Sequence, residues 1–368
     1  MIVGLFTELL GGGGIERAGR HSTTVLKQFS EKRGWDCRLL SLNDLPGEHL
    51  LRTAQTAVQI RGFGRRKIGF VRSALACIPK ARLVYLNHVG LAPIGLLFKL
   101  ARPKVRCVIA THGVEVWGRI PRFRRWALRA ADAVTAPSRF TASKIMAGMG
   151  ARAKNVSVLP WATDPAFLSE ERPPVPAKTD EPPARVVLTV ARLEAAEKHK
   201  GVDTVLQAFP EVLRAVPDAQ YVIVGDGTLR PHLERMVSQL GLGKNVTFAG
   251  RQRDADLRRC YEACAVYAMP SGQEGFGMAF LEAMALGKPV IGGNYGGTPE
   301  IVTEGITGFL VEPGDTASLA DRLIRLLTDG NLRRRMGEAG RRRVERDYTL
   351  ESFRRRFDQI LTLALEGR

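Results

Sequence analysis

Two glutamates, Glu274 and Glu282, stand in the stretch PSGQEGFGMAFLEAMALGKPVIGGNYGGTPEIV, which runs from Pro270 to Val302. An apolar run, Ala265–Met269, leads into a turn holding Gly272, Gly275 and Gly277, where glycine lets backbone N–H groups come close to a ligand. A helix is predicted to begin near Gly277 and to end at a cap on Gly287, with Lys288-Pro289 stopping it. Free N–H groups and the positive end of the dipole make such a helix start a natural seat for a diphosphate. Glu274 precedes that helix and Glu282 lies on its second turn, so they do not form a helical pair. A paired-carboxylate hydrolase would need the two to flank one bond, and Glu282 sits too far along the helix for that. Two cations follow another apolar run: Arg192 at the end of RVVLTVAR, and Lys200 just before Gly201. Arginine grips phosphate oxygens in a fork and lysine adds a point charge. Lys198 competes with Lys200 for that role. Gly225, in Gly225-Asp226-Gly227, closes the next run as a tight turn. Nearer the start lie four consecutive glycines, Gly11, Gly12, Gly13 and Gly14, and two histidines that end apolar runs, His88 and His112.

These residues need elements to hold them. Short apolar runs alternate with longer stretches of helical period through both halves of the chain. The first half has Ile2–Thr7, Cys37–Leu42, Arg82–Asn87, Val105–Thr111, Ala133–Ala136 and Val156–Leu159. The second has Arg185–Val190, Gln220–Val224, Val246–Ala249, Ala265–Met269, Pro289–Ile291 and Phe309–Val311. Amphipathic stretches such as Val202–Val216, Leu229–Leu240 and Ser318–Leu327 lie between them. The pattern predicts parallel sheets covered by helices on both faces, with ligands outside the carboxyl ends of the strands. At 368 residues two domains are expected: 1–164, then a proline-rich linker at 165–184, then 185–348. The stretch Glu171–Pro183 holds five prolines and no apolar period. A last helix, 350–366, carries Phe353, Phe357, Ile360 and Leu361 on one face.

The net charge is +18, and all of it falls in the first half. Up to Asp164 there are 27 Lys and Arg against nine Asp and Glu; beyond it the counts are 28 and 28. No acidic residue falls between His49 and Val114, where Arg65, Arg66 and Lys67 form one cluster; Arg119, Arg122, Arg124, Arg125 and Arg129 form another further on. Such a face is expected to meet an anionic surface. Trp117, Ile120, Phe123 and Trp126 are interleaved with the second cluster and could add shallow apolar insertion. Five cysteines lack zinc or redox spacing and read as reduced thiols of a cytoplasmic protein. No run reaches the ~20 apolar residues of a membrane span, and Met1–Leu10 does not read as a signal peptide.

The order of these motifs resembles the retaining glycosyltransferases of family 4, through Glu274-Gly275-Phe276-Gly277 to Glu282, ARL…KG at Ala191–Gly201, GDG at Gly225–Gly227 and GGTPEIV at Gly296–Val302. It extends to Gly11–Gly14, Thr111-His112-Gly113 and LRAADAVTAPSRFT at Leu128–Thr141. The resemblance implies an α/β fold of the GT-B type: two Rossmann-like, doubly wound parallel-sheet domains facing across a cleft. It implies that Arg192 and Lys200 neutralise the departing diphosphate of a nucleotide sugar. The N–H groups of Phe276 and Gly277 would bind the same phosphates or the sugar. Glu274 would bond the donor sugar, Glu282 the ribose, and Arg251 and Gln252 would lie near the base. Gly11 to Gly14 would let the first domain close over the phosphates, His112 would contact the donor sugar, and His88 is expected on the acceptor side. Trp161-Ala162 stands where the family often has Asn-Gly. The implied activity is retaining transfer of a hexose-type sugar to a lipid-linked or saccharide acceptor, in bacterial polysaccharide or glycolipid synthesis. It would take place at the inner face of the membrane, with no cofactor and no metal. A nucleotide-sugar 2-epimerase of similar fold is one alternative. A basic nucleic-acid-binding protein is another, although no helix-turn-helix or finger pattern appears and specific nucleic acid is not expected.

Overall fold

The computed structural model describes residues 1–53, 56–150, 155–169 and 185–367. Most of the expected linker, including the proline-rich run, lies outside the described residues; Pro165–Leu168, at its start, form a short helix. The chain divides into two compact units, one of Met1–Ala162 with Leu350–Arg368 and one of Thr163–Thr349.

The first unit is built on strands β1 (Ile2–Phe6), β2 (Cys37–Ser41), β3 (Gly47–Arg52), β4 (Ala57–Gly62), β5 (Leu83–Leu86), β6 (Arg106–Ala110), β7 (Ala133–Ala136) and β8 (Val156–Val158). They form one sheet in the order β3-β4-β2-β1-β5-β6-β7-β8. The central strands β1 and β5 are buried along their whole length, as strands covered on both faces must be. Helices α1 (Gly14–Glu31), α2 (Lys67–Leu75), α3 (Ala92–Ala101), α4 (Arg122–Ala130) and α5 (Arg139–Met149) complete this part of the chain. Phe70, Phe98, Leu128 and Ile145 from α2 to α5 share one core. Val25, Leu26 and Phe29 of α1 join a second core.

Strands β3 and β4 were not expected. They pair antiparallel, and β4 joins the sheet through β2. Val58 and Ile60 are buried while Ala57, Gln59 and Arg61 are exposed. A half-buried strand near the sheet edge shows only this period of two, which a search for continuous apolar runs passes over.

The second unit has strands β9 (Val186–Val190), β10 (Gln220–Val224), β11 (Val246–Gly250), β12 (Val266–Met269), β13 (Val290–Gly293) and β14 (Gly308–Val311), in the order β11-β10-β9-β12-β13-β14. Every pair in it is parallel. Its helices are α6 (Pro165–Leu168), α7 (Val202–Ala215), α8 (Arg230–Gln239), α9 (Asp254–Ala263), α10 (Met278–Ala285), α11 (Thr298–Ile301), α12 (Thr316–Thr328) and α13 (Gly330–Asp347). Val205, Leu206, Phe209 and Val212 form the buried stripe of α7, and burying each stabilises the unit by about 1.5–3 kcal/mol. The last helix, α14 (Leu350–Glu366), belongs to the first unit. Its Phe353, Phe357 and Leu361 lie in the same core as α1, and the Phe357 ring centroid is 5.3 Å from that of Tyr85.

The strand orders place the functional ends. From β9 the chain steps outward to β10 and β11, then returns to the far side of β9 as β12. In the first unit it leaves β1 for β2 and comes back beside β1 as β5. Crevices open outside the carboxyl ends of strands at such reversals, between β9 and β12 and between β1 and β5.

Candidate active site

In the second unit the sequence-predicted residues gather at the carboxyl edge of the sheet. Arg192, Lys198 and Lys200 follow β9, Gly225 follows β10, Arg251 and Gln252 follow β11, and Glu274 to Gly277 follow β12. The Lys200 ammonium lies 2.6 Å from Glu274 Oε2, and the two side chains are only 19% and 12% exposed. Gly201 explains how Lys200 gets there. Its φ is +77°, and a Cβ there would stand 2.6 Å from the Pro270 carbonyl oxygen, so the backbone after Lys200 lies directly on the end of β12. Lys198 points elsewhere: it is 61% exposed and 3.8 Å from Asp203 Oδ2. Of the two lysines, Lys200 is the one brought to Glu274. Arg192 is exposed and forms an ion pair with Glu197.

The turn before α10 is tied from two sides. Gly272 N–H donates to the His199 carbonyl at 2.8 Å, and Gly297 N–H donates to the Glu274 carbonyl at 2.7 Å. Gly277 caps α10 with φ of +105°, a left-handed conformation that favours glycine. Phe276 is buried, and its N–H lies 3.5 Å from Glu274 Oε1. Gly225 N–H donates to the Gly250 carbonyl at 2.8 Å. Gln252 Nε2 turns back to donate to the Ala249 carbonyl at 2.7 Å, and Arg251 is exposed. Glu282 is buried within α10, and its Oε2 accepts the Tyr261 hydroxyl at 2.8 Å. The two glutamates therefore have separate partners. A groove of about 460 Å³ lined by Glu262, Lys288, Arg333 and Arg334 opens at the other end of this sheet, beside the starts of β12 and β13. The Lys288 ammonium there is committed to the Glu262 and Cys264 carbonyls, at 2.6 and 2.8 Å.

In the first unit, His112 follows β6 and is buried. Its Nε2–H donates to the Asn87 carbonyl, so Nδ1 carries the lone pair. Burial lowers the His112 pKa to about 4, against the opposing pull of Glu115 and with help from His88. The ring is therefore neutral at pH 7. The His88 ring stacks on it with centroids 5.6 Å apart, and Trp161 lies at 5.3 Å. His88 Nδ1 accepts the Gly90 N–H at 2.9 Å, and burial lowers its pKa too. Among the described residues His112 Nδ1 and Asn87 Nδ2 are buried without a hydrogen-bond partner, and both residues line a small cavity of about 10 Å³.

The glycines of this unit form the turn between β1 and α1, with Gly13 as helix cap and Gly14 as first helical residue. Asp44 pins the approach to the turn by accepting from Leu9 and Leu10 N–H at 2.8 and 3.1 Å. Arg20 Nη1 donates to the Leu9 and Gly11 carbonyls at 2.8 and 2.7 Å. Burial and the neighbouring carboxylates of Glu16 and Asp44 push the Glu8 carboxyl up. Asp44, Arg20, Asn87 and Tyr261 support expected site residues, but no spacing in the sequence marks them.

One expectation from the sequence needs correction. Of the four apolar residues interleaved with the second basic cluster, Ile120 is buried in the core, and Trp117 packs edge-on against Phe140 with centroids 4.9 Å apart. Phe123 and Trp126 are the exposed ones, at 51% and 52%. The sequence also holds an Asp-x-Asp triplet, the spacing that often marks a metal-held diphosphate, at Asp254-Ala255-Asp256. The triplet lies at the start of α9. Asp256 is paired with Arg259 at 3.0 Å.

Comparison with known proteins fits this arrangement. Residues 172–343 match the family model for glycosyl transferases group 1, and residues 13–167 match that for glycosyltransferase family 4. A Corynebacterium glutamicum protein is 33% identical over 73% of this chain and 74% of its own length. It is named a GDP-mannose-dependent monoacylated alpha-(1-6)-phosphatidylinositol monomannoside mannosyltransferase. The chain belongs to glycosyltransferase family 4. A second relative of this glycosyltransferase, from Mycolicibacterium smegmatis, is 36% identical over 68% of the chain and 69% of its own length. It is named a GDP-mannose-dependent alpha-(1-6)-phosphatidylinositol monomannoside mannosyltransferase. Among solved structures, Anabaena HepE with UDP superposes with a TM-score of 0.77 at 18% identity, over 98% of this chain and 99% of that one. The sucrose-phosphate synthase of Thermosynechococcus elongatus gives 0.78 at 22%, over 98% of both. These likenesses establish the GT-B fold of the glycosyltransferase. The epimerase and nucleic-acid readings find no support.

Proposed function

We propose that this glycosyltransferase moves a hexose, with retention and without a metal, from a nucleoside diphosphate sugar to a lipid-linked acceptor at an anionic membrane surface. GDP-mannose is the first donor to try, because the relatives described above are named for it. The observation that carries the reading is the Lys200–Glu274 pair beside the start of α10. As the bond from sugar C1 to phosphate oxygen breaks, negative charge grows on the diphosphate and positive charge on the ring. Lys200, Arg192 and the N–H groups of Phe276 and Gly277 supply the cations and donors that stabilise that negative charge as it develops. Glu274, held by Lys200, offers acceptor oxygens to the donor sugar. A leaving-phosphate oxygen takes the acceptor hydroxyl proton as the new C1–oxygen bond forms on the same face, which accounts for retention. Neutral His112 would orient a sugar hydroxyl through its bare Nδ1 and has no proton to give from that atom.

The membrane part of the reading rests on α2, α3 and α4, which neighbour one another on one face of the first sheet. Ile68, Leu97, Leu100, Phe123 and Trp126 are exposed on them. Exposed Arg65, Arg66, Lys67, Arg72 and Arg122 are interspersed. Each cation near an anionic leaflet contributes about 1 kcal/mol. Among the described residues no helix is long and apolar enough to cross a membrane.

Transfer from GDP-mannose and from UDP-glucose to lipid acceptors in liposomes, with and without excess chelator, tests the reading directly. Lys200→Ala should lower kcat by about 10²–10³-fold, and Arg192→Ala should weaken nucleoside diphosphate binding in calorimetry. The triple variant of Arg65, Arg66 and Lys67 to Glu should release the protein from anionic liposomes while leaving nucleotide binding intact. A strict need for added magnesium or manganese would contradict metal independence.

A further inference from the structure

Glu282 sits in surroundings that give a carboxylate little reason to be there. Its helix α10 is buried almost throughout, with Phe280, Leu281, Ala283, Met284 and Ala285 inaccessible beside it. Moving a carboxylate into such a place is unfavourable unless hydrogen bonds replace the lost water, and an apolar side chain would serve packing at least as well. The Tyr261 hydroxyl meets it at 2.8 Å on Oε2. The phenol donates and the carboxylate oxygen accepts. The phenol is itself held still. Tyr261 is fully buried on α9, edge-on to Phe167 with centroids 5.8 Å apart and 5.8 Å from the Tyr267 ring. A rigid donor on one helix thus fixes the rotation of a carboxylate on another.

We propose that Tyr261 is a positioning residue for ribose recognition: by holding Oε2 of Glu282, it aims the carboxylate at the hydroxyls of the donor ribose. The inference rests on the reading that Glu282 meets the ribose, so its test must separate the two. Calorimetry would compare GDP with 2′,3′-dideoxy-GDP, and UDP with 2′,3′-dideoxy-UDP, using whichever pair has the tighter ribonucleotide. The preference of the wild-type protein for the ribo form is the quantity of interest. Tyr261→Phe keeps the ring and removes only the donor. It should cut that preference by about tenfold, the worth of one hydrogen bond at its upper range, while affinity for the dideoxy form stays as it was. Adding Tyr261→Phe to Glu282→Ala should cost the ribonucleotide nothing further.

Three results would overturn the proposal. If Glu282→Ala loses the ribo preference and Tyr261→Phe keeps it, Tyr261 positions nothing. If Tyr261→Phe weakens ribo and dideoxy forms equally, its role is packing alone. If Glu282→Ala itself keeps the preference, the ribose reading of Glu282 fails and the role of Tyr261 falls with it.

Discussion

Both units carry a glycine-bearing turn at the carboxyl edge of a parallel sheet, and the two turns use glycine for opposite reasons. In the second unit Gly225 has φ of +140°, and a Cβ there would fall 1.8 Å from the Ala191 carbonyl oxygen. Backbone packs on backbone, and no side chain fits whether or not a ligand is present. In the first unit a Cβ on Gly12 meets nothing within 4 Å, and on Gly11 or Gly13 it would touch only the flexible ends of Glu8 and Glu16. Gly13 has an ordinary extended backbone, with φ of −79°. The fold leaves those positions open to larger residues. Packing therefore accounts for Gly225, and it does not account for Gly11 to Gly13.

The largest expected effect lies where the fold itself demands glycine. Gly225→Ala combines an unfavourable φ with a backbone clash and should destabilise the second unit by about 3 kcal/mol. For a unit of this size that is a fall in Tm of about 6–12 °C, measurable by calorimetry with no nucleotide added. A loss below about 1 kcal/mol would mean that the Ala191–Gly225 contact relaxes easily, and the contrast between the turns would be lost.

The two turns also differ in how well the sequence announced them. Most strands of the second unit lie within a residue or two of the apolar runs, because fully buried parallel strands write themselves as continuous Val, Ile and Leu. The β3–β4 hairpin escaped because its apolar residues alternate with Gln59 and Arg61. At the site, Lys200 and Lys198 could not be separated by spacing; the left-handed turn at Gly201 decides which one reaches Glu274. Tyr261 and Asn87 left no trace in the sequence. Their contacts join separate elements, α9 to α10 and the end of β5 to the end of β6, and no local pattern encodes such a meeting. Trp117 and Phe123 look alike in sequence, and tertiary packing on Phe140 half-buries Trp117 while Phe123 stays exposed.

A second contrast concerns charge, and its effect is smaller. The second unit pairs Lys200 with Glu274, whereas the first keeps His112 buried and neutral with a pKa of about 4. The folded value lies below the ~6.5 of an exposed histidine, so the unfolded chain takes up a proton that the native ring refuses. This contribution is present in full above pH 6.5 and is lost as pH falls towards 4. At pH 5 the loss is about 2 kcal/mol. His112→Gln, which retains an N–H donor for the Asn87 carbonyl, should reduce the stability difference between pH 7 and pH 5 by that amount in urea unfolding. An unchanged difference would show that the ring is hydrated in solution.

The smallest change in the folded molecule tests the comparison most sharply. Gly12→Ala adds one methyl where the chain has nothing within 4 Å. Stability should move by no more than about 0.5 kcal/mol, and a small gain is expected because alanine restricts the unfolded chain. If the turn is kept clear for the donor phosphates, the same methyl stands in the path of a ligand that must approach the backbone closely. Donor kcat/KM should then fall by about tenfold, equivalent to about 1.4 kcal/mol of transition-state binding. Gly12→Val should deepen that loss without lowering Tm. The two measurements must diverge, with melting unmoved and transfer impaired, for the first-unit glycines to be there for the ligand. If kcat/KM survives both substitutions, no ligand comes near Gly12, and the run of glycines in the first unit needs another explanation.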